Sequence, residues 1–208
     1  MKTKLLIICL LLFTSQVIAD DYLQEEYIED KWTVSVVISE SNPTSVIASV
    51  NGKITYGDRF RVRIPIKDLE SCNVGNSLTR FYTTVKNEKV SKISNMTIPA
   101  VFKDQNIYVG ALFSNKFLLG HSVMIDMGWN YLDGIKSFFQ NTTEVSLKLL
   151  SDDNIKTDEY FDIPENKFSL NGLEDALERA KKECSRIVKN INKHLLQSES
   201  TVSNVFRL

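Results

Sequence analysis

The sequence predicts a mainly β fold with one long C-terminal helix, an antiparallel β-sandwich or open barrel against which that helix packs. Three observations predict this fold class. Runs in which apolar and polar residues alternate recur between residues 31 and 150, as in half-buried strands. Turn residues separate the runs with no helical segment between them, which favours antiparallel strands over a parallel α/β sheet. After residue 171 the apolar residues follow steps of three and four, the period of an amphipathic helix.

The first nineteen residues, MKTKLLIICLLLFTSQVIA, follow the pattern of a secretory signal peptide. Two lysines precede nine apolar residues, and Ala19 supplies a small residue before the cleavage position. The apolar run is too short to span a bilayer, although a retained N-terminal anchor is the alternative. Lipidation of Cys9 is excluded because the bulky Ile8 precedes it. The sequence therefore predicts an exported protein, periplasmic or secreted.

The charge of the mature chain excludes some classes of partner. Removing the two signal-peptide lysines from 25 Lys and Arg leaves 23, against 26 Asp and Glu. A nucleic-acid-binding protein needs a net basic face, so we expect no nucleic-acid partner. No later segment approaches eighteen consecutive apolar residues, so no membrane span is predicted after cleavage.

Residues 20–30 are acidic and are interpreted as a loosely held lead-in or a short helical piece, followed by a single domain over residues 31–197. The clearest strand of that domain is RFRVRIPI, in which Phe60, Val62 and Ile64 share one face. Asn51 and Gly52 predict a two-residue hairpin turn, because both tolerate positive φ. The other predicted strands are 31–38, 45–50, 80–85, 97–102, 106–113, 116–129 with a break near Gly120, and 144–150.

The helix is predicted over residues 171–197, with residues 198–208 as a frayed tail. Asn171 can cap its first turn, and Glu174 completes an arrangement like a capping box. One apolar stripe runs along the helix: Leu173, Ala176, Leu177, Ala180, Cys184, Ile187, Val188, Ile191 and Leu195.

Two cysteines, Cys72 and Cys184, remain after the signal peptide is removed. An even pair in an exported chain predicts a disulfide. Two free buried thiols are the alternative. A catalytic or zinc-binding role is less favoured, since there is no CxxC motif and the chain has only His121 and His194.

Arg59, Arg61 and Arg63 project from one side of a single strand, with Lys67 beyond it. Because guanidinium groups bind carboxylate and phosphate in bidentate fashion, this face is a candidate anion-binding or partner-docking surface. The alternative is a solvated face whose charges are neutralised by acidic residues on a neighbouring strand.

Other motifs give no catalytic or metal site. GHSVM (120–124) resembles a nucleophile elbow but ends in Met124, and on a strand the side chains of His121 and Ser122 point to opposite faces. The acidic residues in 151–166 lack the spacing of a calcium loop. No cofactor and no metal are predicted. Asn95 and Asn141 lie in N-glycosylation motifs that matter only in a eukaryotic source.

The segment KFSLNGLEDALERAKKEC (167–184) resembles the closing strand and helix of secreted bacterial β-proteins of the invasion-associated locus B type. The early strand KWTVSVV would correspond to a tryptophan-containing strand of that family. The resemblance implies an envelope or secreted β-sandwich without a known enzymatic site, and it assigns no functional residue.

These observations predict a non-catalytic binding or accessory protein of the bacterial envelope or secreted fraction, with another protein as partner. Two alternatives stay open. One is a secreted hydrolase whose acidic site has no recognisable motif, and the other is a subunit of a surface assembly.

Overall fold

The computed structural model describes residues 21–28 and 32–205, and the environments of the side chains of residues 32–193. The predicted signal peptide lies outside the described residues. Ten strands form one antiparallel sheet in the order β1-β2-β3-β4-β5-β8-β7-β6-β9-β10. The strands are β1 Asp21–Ile28, β2 Trp32–Ser39, β3 Asn42–Asn51, β4 Arg59–Pro65, β5 Val74–Thr83, β6 Thr97–Phe102, β7 Gln105–Phe117, β8 Gly120–Tyr131, β9 Glu144–Leu149 and β10 Glu165–Ser169. The helices are α1 Glu88–Ser91, α2 Leu132–Phe139 and α3 Leu173–Val205.

The predicted fold class is confirmed: the protein is mainly antiparallel β, and its C-terminal helix packs on the sheet. The sheet is open and curls on itself. Phe60 on β4 contacts Phe102 on β6 and Phe168 on β10, with ring centroids 6.4 and 5.9 Å apart, although several strands separate them in the sheet. One continuous apolar core therefore fills the inside of the curl.

The segment interpreted as an acidic lead-in contains a strand instead. β1 pairs antiparallel with β2, with a register shift between Tyr22 and Glu25. Without β1, the outer edge of β2 would expose unpaired backbone amide and carbonyl groups, and pairing satisfies them. Acidic composition alone did not reveal this, because edge strands carry charged residues readily.

The connection between β3 and β4 is longer than the predicted two-residue turn at Asn51 and Gly52. Gly52 forms a bridge to Phe168 of β10, and its amide donates to the Asp58 carbonyl at 2.8 Å. A Cβ on Gly52 would lie 2.4 Å from the side-chain Nδ2 atom of Asn166. The glycine therefore serves the close approach of β10, and the chain turns over residues 53–58.

The helix α3 starts after Gly172, whose φ is +81°, and the first helical bond runs from the Ala176 amide to the Gly172 carbonyl at 3.0 Å. Asn171 is thus not its cap. The helix continues to Val205, past the predicted end near residue 197, and no glycine or proline interrupts it. The predicted stripe is buried from Leu173 to Val188, but Ile191 is 40% exposed, and the side chain of Leu195 lies outside the described residues.

The predicted pairing of Cys72 with Cys184 is confirmed, with the two sulfurs 2.01 Å apart and the two Cα atoms 5.7 Å apart. Cys72 lies in a single-turn 3-10 helix, Ser71–Asn73, between β4 and β5. The bond fastens α3 to the sheet. Among the described helices, none is both long and apolar enough to cross a membrane.

Candidate anion-binding site

The outer face of β4 carries the predicted arginines. Phe60, Val62 and Ile64 point into the core and are fully buried. Because successive side chains on a strand alternate between faces, Arg59, Arg61 and Arg63 point to the opposite, outer face. Burial of the apolar residues fixes the orientation of β4, and this orientation places the three arginines on its opposite side.

The residues directly opposite these arginines are uncharged or basic. Arg61 lies across from Ser49 and Leu78, and Arg63 across from Ile47 and Asn76. Arg59 lies across from Asn51 on β3 and Arg80 on β5. The alternative interpretation of this face placed acidic residues on a neighbouring strand. No acidic residue lies directly opposite these arginines in the strand pairing.

Arg59, Arg61 and Arg80 line a pocket of about 390 Å³, which we call the arginine pocket. Its remaining walls are polar or aromatic, and no carboxylate contributes to them. They comprise Asn51, Tyr56, Gly57 and Tyr82. Like charges placed directly across two strands repel one another, so Arg59 and Arg80 favour an anion between them.

Arg80 is held in place by Tyr82 on the same strand. An Nη1 atom of Arg80 donates to the Tyr82 hydroxyl at 3.3 Å, and the guanidinium carbon lies 5.9 Å from the centre of the tyrosine ring. The Nε atom of Arg80 is buried without a hydrogen-bond partner among the described residues. This guanidinium is positioned before any ligand arrives and retains a donor to offer.

Asp58 fixes the loop beside the pocket. Its side chain is buried and accepts hydrogen bonds from the Tyr82 amide at 2.7 Å and from the Asn166 side-chain amide at 2.8 Å. Burial raises the pKa of the Asp58 carboxyl to about 6, although both hydrogen bonds oppose this shift. Gly57 has a φ of +96°, and a Cβ there would lie 2.9 Å from the Tyr82 ring. The loop therefore packs directly on the pocket wall.

The other predicted members of the basic face lie outside the arginine pocket. Arg63 is exposed, and its Nε atom donates to the Ser45 hydroxyl at 3.1 Å. Lys67 is exposed in the loop after β4, where its amide faces the Ser71 hydroxyl at 3.3 Å. Arg80, which was not among the predicted residues, lines the pocket together with Arg59 and Arg61.

His121 is a buried histidine with both ring nitrogens satisfied. Its Nδ1 atom lies 3.3 Å from the Val85 carbonyl, and its Nε2 atom lies 3.2 Å from the Ser91 hydroxyl. A carbonyl can only accept, so Nδ1 donates to the Val85 carbonyl, and Nε2 shares a hydrogen bond with the Ser91 hydroxyl. Neither residue lines the arginine pocket, and Ser122 is not the partner of His121.

The acidic residues of the 151–166 segment serve local contacts. Asp152 accepts from the amides of Asn154 and Ile155 at 2.8 and 3.0 Å. Glu159 forms an ion pair with Lys89. Among the described residues, no cluster of three or more His, Cys, Asp or Glu side chains could hold a metal ion.

Comparison of the chain with family models, with curated proteins and with solved structures gave no match. The resemblance to the invasion-associated locus B type stays a prediction, and the arginine pocket is described by its own geometry alone.

Proposed function

We propose that this chain is an exported, non-catalytic binding protein that captures a carboxylate group of a partner protein in the arginine pocket. One observation carries the proposal. Arg59 and Arg80 lie directly across two paired strands and line, with Arg61, a pocket to which no carboxylate contributes.

The chemistry of the pocket suits carboxylates. Guanidinium groups form paired hydrogen bonds with planar carboxylates, and such charge-assisted bonds are short and strong. The Tyr82 hydroxyl borders the same pocket and adds a polar contact. A volume of about 390 Å³ accommodates one or two acidic side chains rather than a duplex. The formal charge of −1 for the whole sequence also argues against a polyanionic nucleic acid.

Periplasmic or secreted localisation belongs to the same proposal. The signal-peptide pattern at residues 1–19 supports it. The bond between Cys72 and Cys184 supports it as well, because such bonds persist in oxidising compartments.

An NMR titration tests the proposal. An acetylated and amidated Glu-Asp-Glu-Asp peptide is added to the ¹⁵N-labelled protein, and the amide shifts of Arg59, Arg80 and Tyr82 are followed. We expect these amides to move together and Arg80→Gln to weaken binding at least about tenfold. Raising the salt from about 50 to about 300 mM should weaken it further.

The matched control is Arg63→Gln, which removes an arginine from the same strand face but outside the pocket. Its affinity for the peptide should stay within about twofold of the wild type. Equal losses in Arg63→Gln and Arg80→Gln would show a diffuse charge effect and overturn the assignment of the pocket. So would a peptide that shifts no amide at the pocket.

A further inference from the structure

The hairpin between β7 and β8 ends in two exposed leucines. Phe117 pairs with Gly120, which leaves Leu118 and Leu119 as the two turn residues. Leu118 is 96% exposed and Leu119 is 68% exposed. Turn positions normally carry Gly, Asn, Asp or Pro, so two leucines contradict the usual turn chemistry. We call Phe117, Leu118 and Leu119 the apolar tip.

The apolar tip is held against the body of the sheet. A Cβ on Gly120 would lie 2.0 Å from the Thr83 carbonyl oxygen, so the end of the hairpin sits directly on the end of β5. The ring of Phe117 packs edge-on against Tyr82, with centroids 5.5 Å apart. With its base fixed in this way, the hairpin presents its leucines to solvent.

The apolar tip adjoins the arginine pocket through Tyr82, which lines the pocket and contacts Phe117. Tyr56, another wall of the pocket, is fully exposed, and Lys116 is exposed beside the tip. The Asp162 carboxylate is also near this end, where it accepts from the Thr84 amide and hydroxyl at 3.1 and 2.7 Å, but it does not line the pocket. Leucines, tyrosines and cations thus share one end of the molecule.

We propose that this end docks on the surface of an anionic lipid bilayer, with Leu118 and Leu119 inserted at the boundary of headgroups and acyl chains. Charge complementarity supports a bilayer, because Lys116 is exposed beside the leucines, and the half-buried Arg59 and Arg80 line the pocket whose wall Tyr82 contacts Phe117. These cations favour anionic headgroups. Shape supports it too. A projecting tip needs a surface that deforms around it, whereas a protein partner would need a matching cavity.

The inference shares the arginine pocket with the proposed function, but the apolar tip carries it. A docked protein would hold the pocket close to the bilayer, where the carboxylate it captures belongs to a membrane-associated partner protein. The two roles separate because the leucines take no part in binding a carboxylate.

Sedimentation with sucrose-loaded vesicles tests the inference. Vesicles of phosphatidylcholine with about 30% phosphatidylglycerol are compared with phosphatidylcholine alone. The wild-type protein should sediment with the anionic vesicles and much less with the neutral ones. The double variant Leu118→Ser/Leu119→Ser should lose at least about tenfold in partition. Its thermal unfolding midpoint should be unchanged, because both side chains are exposed.

The matched control is Leu69→Ser, which removes a leucine that is 47% exposed in the loop after β4. It should partition within about twofold of the wild type. Arg80→Gln should lower partition about fivefold, the effect of one cation at an anionic surface. The double leucine variant should still bind the acidic peptide, so failure of one proposal is distinguishable from failure of the other.

Three outcomes would overturn the inference. The first is sedimentation of the double leucine variant at the wild-type level. The second is equal binding to neutral and anionic vesicles, which would remove the role of the cations. The third is a wild-type protein that ignores both vesicles, which would assign the apolar tip to a protein contact.

Discussion

Asp58 joins the arginine pocket to β10. Its carboxylate accepts from the Tyr82 amide on one side and from Asn166 on the other, and Asn166 in turn accepts from the Ile54 amide at 3.0 Å. A single side chain thus ties β5, β10 and the β3–β4 loop together. The shape of the pocket depends on it, although Asp58 does not line the pocket.

The raised pKa of Asp58 predicts a pH dependence of stability. The carboxyl binds its proton more tightly in the folded state, with a pKa of about 6, than at its ordinary value of 3.8. Its contribution to stability is therefore complete below about pH 4 and is lost as the pH rises through about 6. The loss should be on the order of 3 kcal/mol.

Carbon-13 NMR of the Asp58 carboxyl measures this titration directly, and we expect a midpoint near pH 6 because burial raises the pKa of this carboxyl to about 6. Urea unfolding of the wild type and of Asp58→Asn from about pH 4 to about pH 7 gives the energetic consequence. The free energy of unfolding of the wild type, relative to that of Asp58→Asn, should fall as the pH rises from about 4 to about 7. A midpoint at or below the ordinary aspartate value would contradict the prediction.

At the residue scale, sequence reasoning found Arg59 and Arg61 but not Arg80. A signal for Arg80 existed, because TRFYT repeats the Arg-Phe order of RFRVR. With Phe81 in the core, Arg80 must point outward as Arg59 does. What the sequence could not supply is the register that sets Arg59 against Arg80, since register depends on the loop between the two strands.

At the element scale, Gly120 allows the end of the β7–β8 hairpin to lie close to the backbone of β5. Its missing Cβ allows the backbone to lie on the Thr83 carbonyl. We predict that Gly120→Ala lowers the free energy of unfolding by about 2 kcal/mol or more, because backbone must move to relieve the overlap. Chemical denaturation measures this change.

Gly110→Ala is the matched control for that prediction. Gly110 also lies in a strand of this hairpin, and a Cβ there would meet its nearest atom at 4.0 Å. The variant should be neutral or slightly stabilised, since alanine reduces the conformational freedom of the unfolded chain. Comparable losses in the two variants would show that the approach to Thr83 is unimportant.

The helices and strands differ in how far their own sequences suffice to predict them. The apolar period of α3 is long enough to identify it without tertiary information. The helix α2 was missed because its eight residues contain Gly134 and follow a strand directly, and so short a helix forms by packing of Leu132, Ile135 and Phe139. β10 was also missed, because its sequence ENKFS is mostly polar and contains only one large apolar residue, Phe168.

At the scale of the whole molecule, the pairing of β5 with β8 and of β6 with β9 joins distant segments. The fold class followed from alternation and turns, but this order could not, because strands of similar composition can pair in many ways. The sheet of this order also curls, which brings Phe60 of β4 against Phe168 of β10. The sequence therefore predicted the fold class, a mainly antiparallel β protein with a C-terminal helix, but not the order of the strands in the sheet.

The bond between Cys72 and Cys184 should stabilise the whole domain. It closes a loop of 112 residues, and removing such a bond typically costs about 2–5 kcal/mol. We predict that the double variant Cys72→Ala/Cys184→Ala loses stability in this range in urea unfolding. Alkylation of the denatured wild-type protein without reductant should modify neither residue. Modification of both would contradict the pairing.

The position of the two cysteines along the chain also sets an order of events in biosynthesis. Cys72 leaves the ribosome 112 residues before Cys184, so the thiol must wait while most of the sheet is made. No other cysteine lies between them, and removal of the predicted signal peptide would take Cys9 away, which leaves Cys72 without a wrong intramolecular partner in the mature chain. The strands can pair before the bond forms, and the docking of α3 then brings the second sulfur into place. In this order of events the covalent link would lock α3 onto a sheet that has already formed.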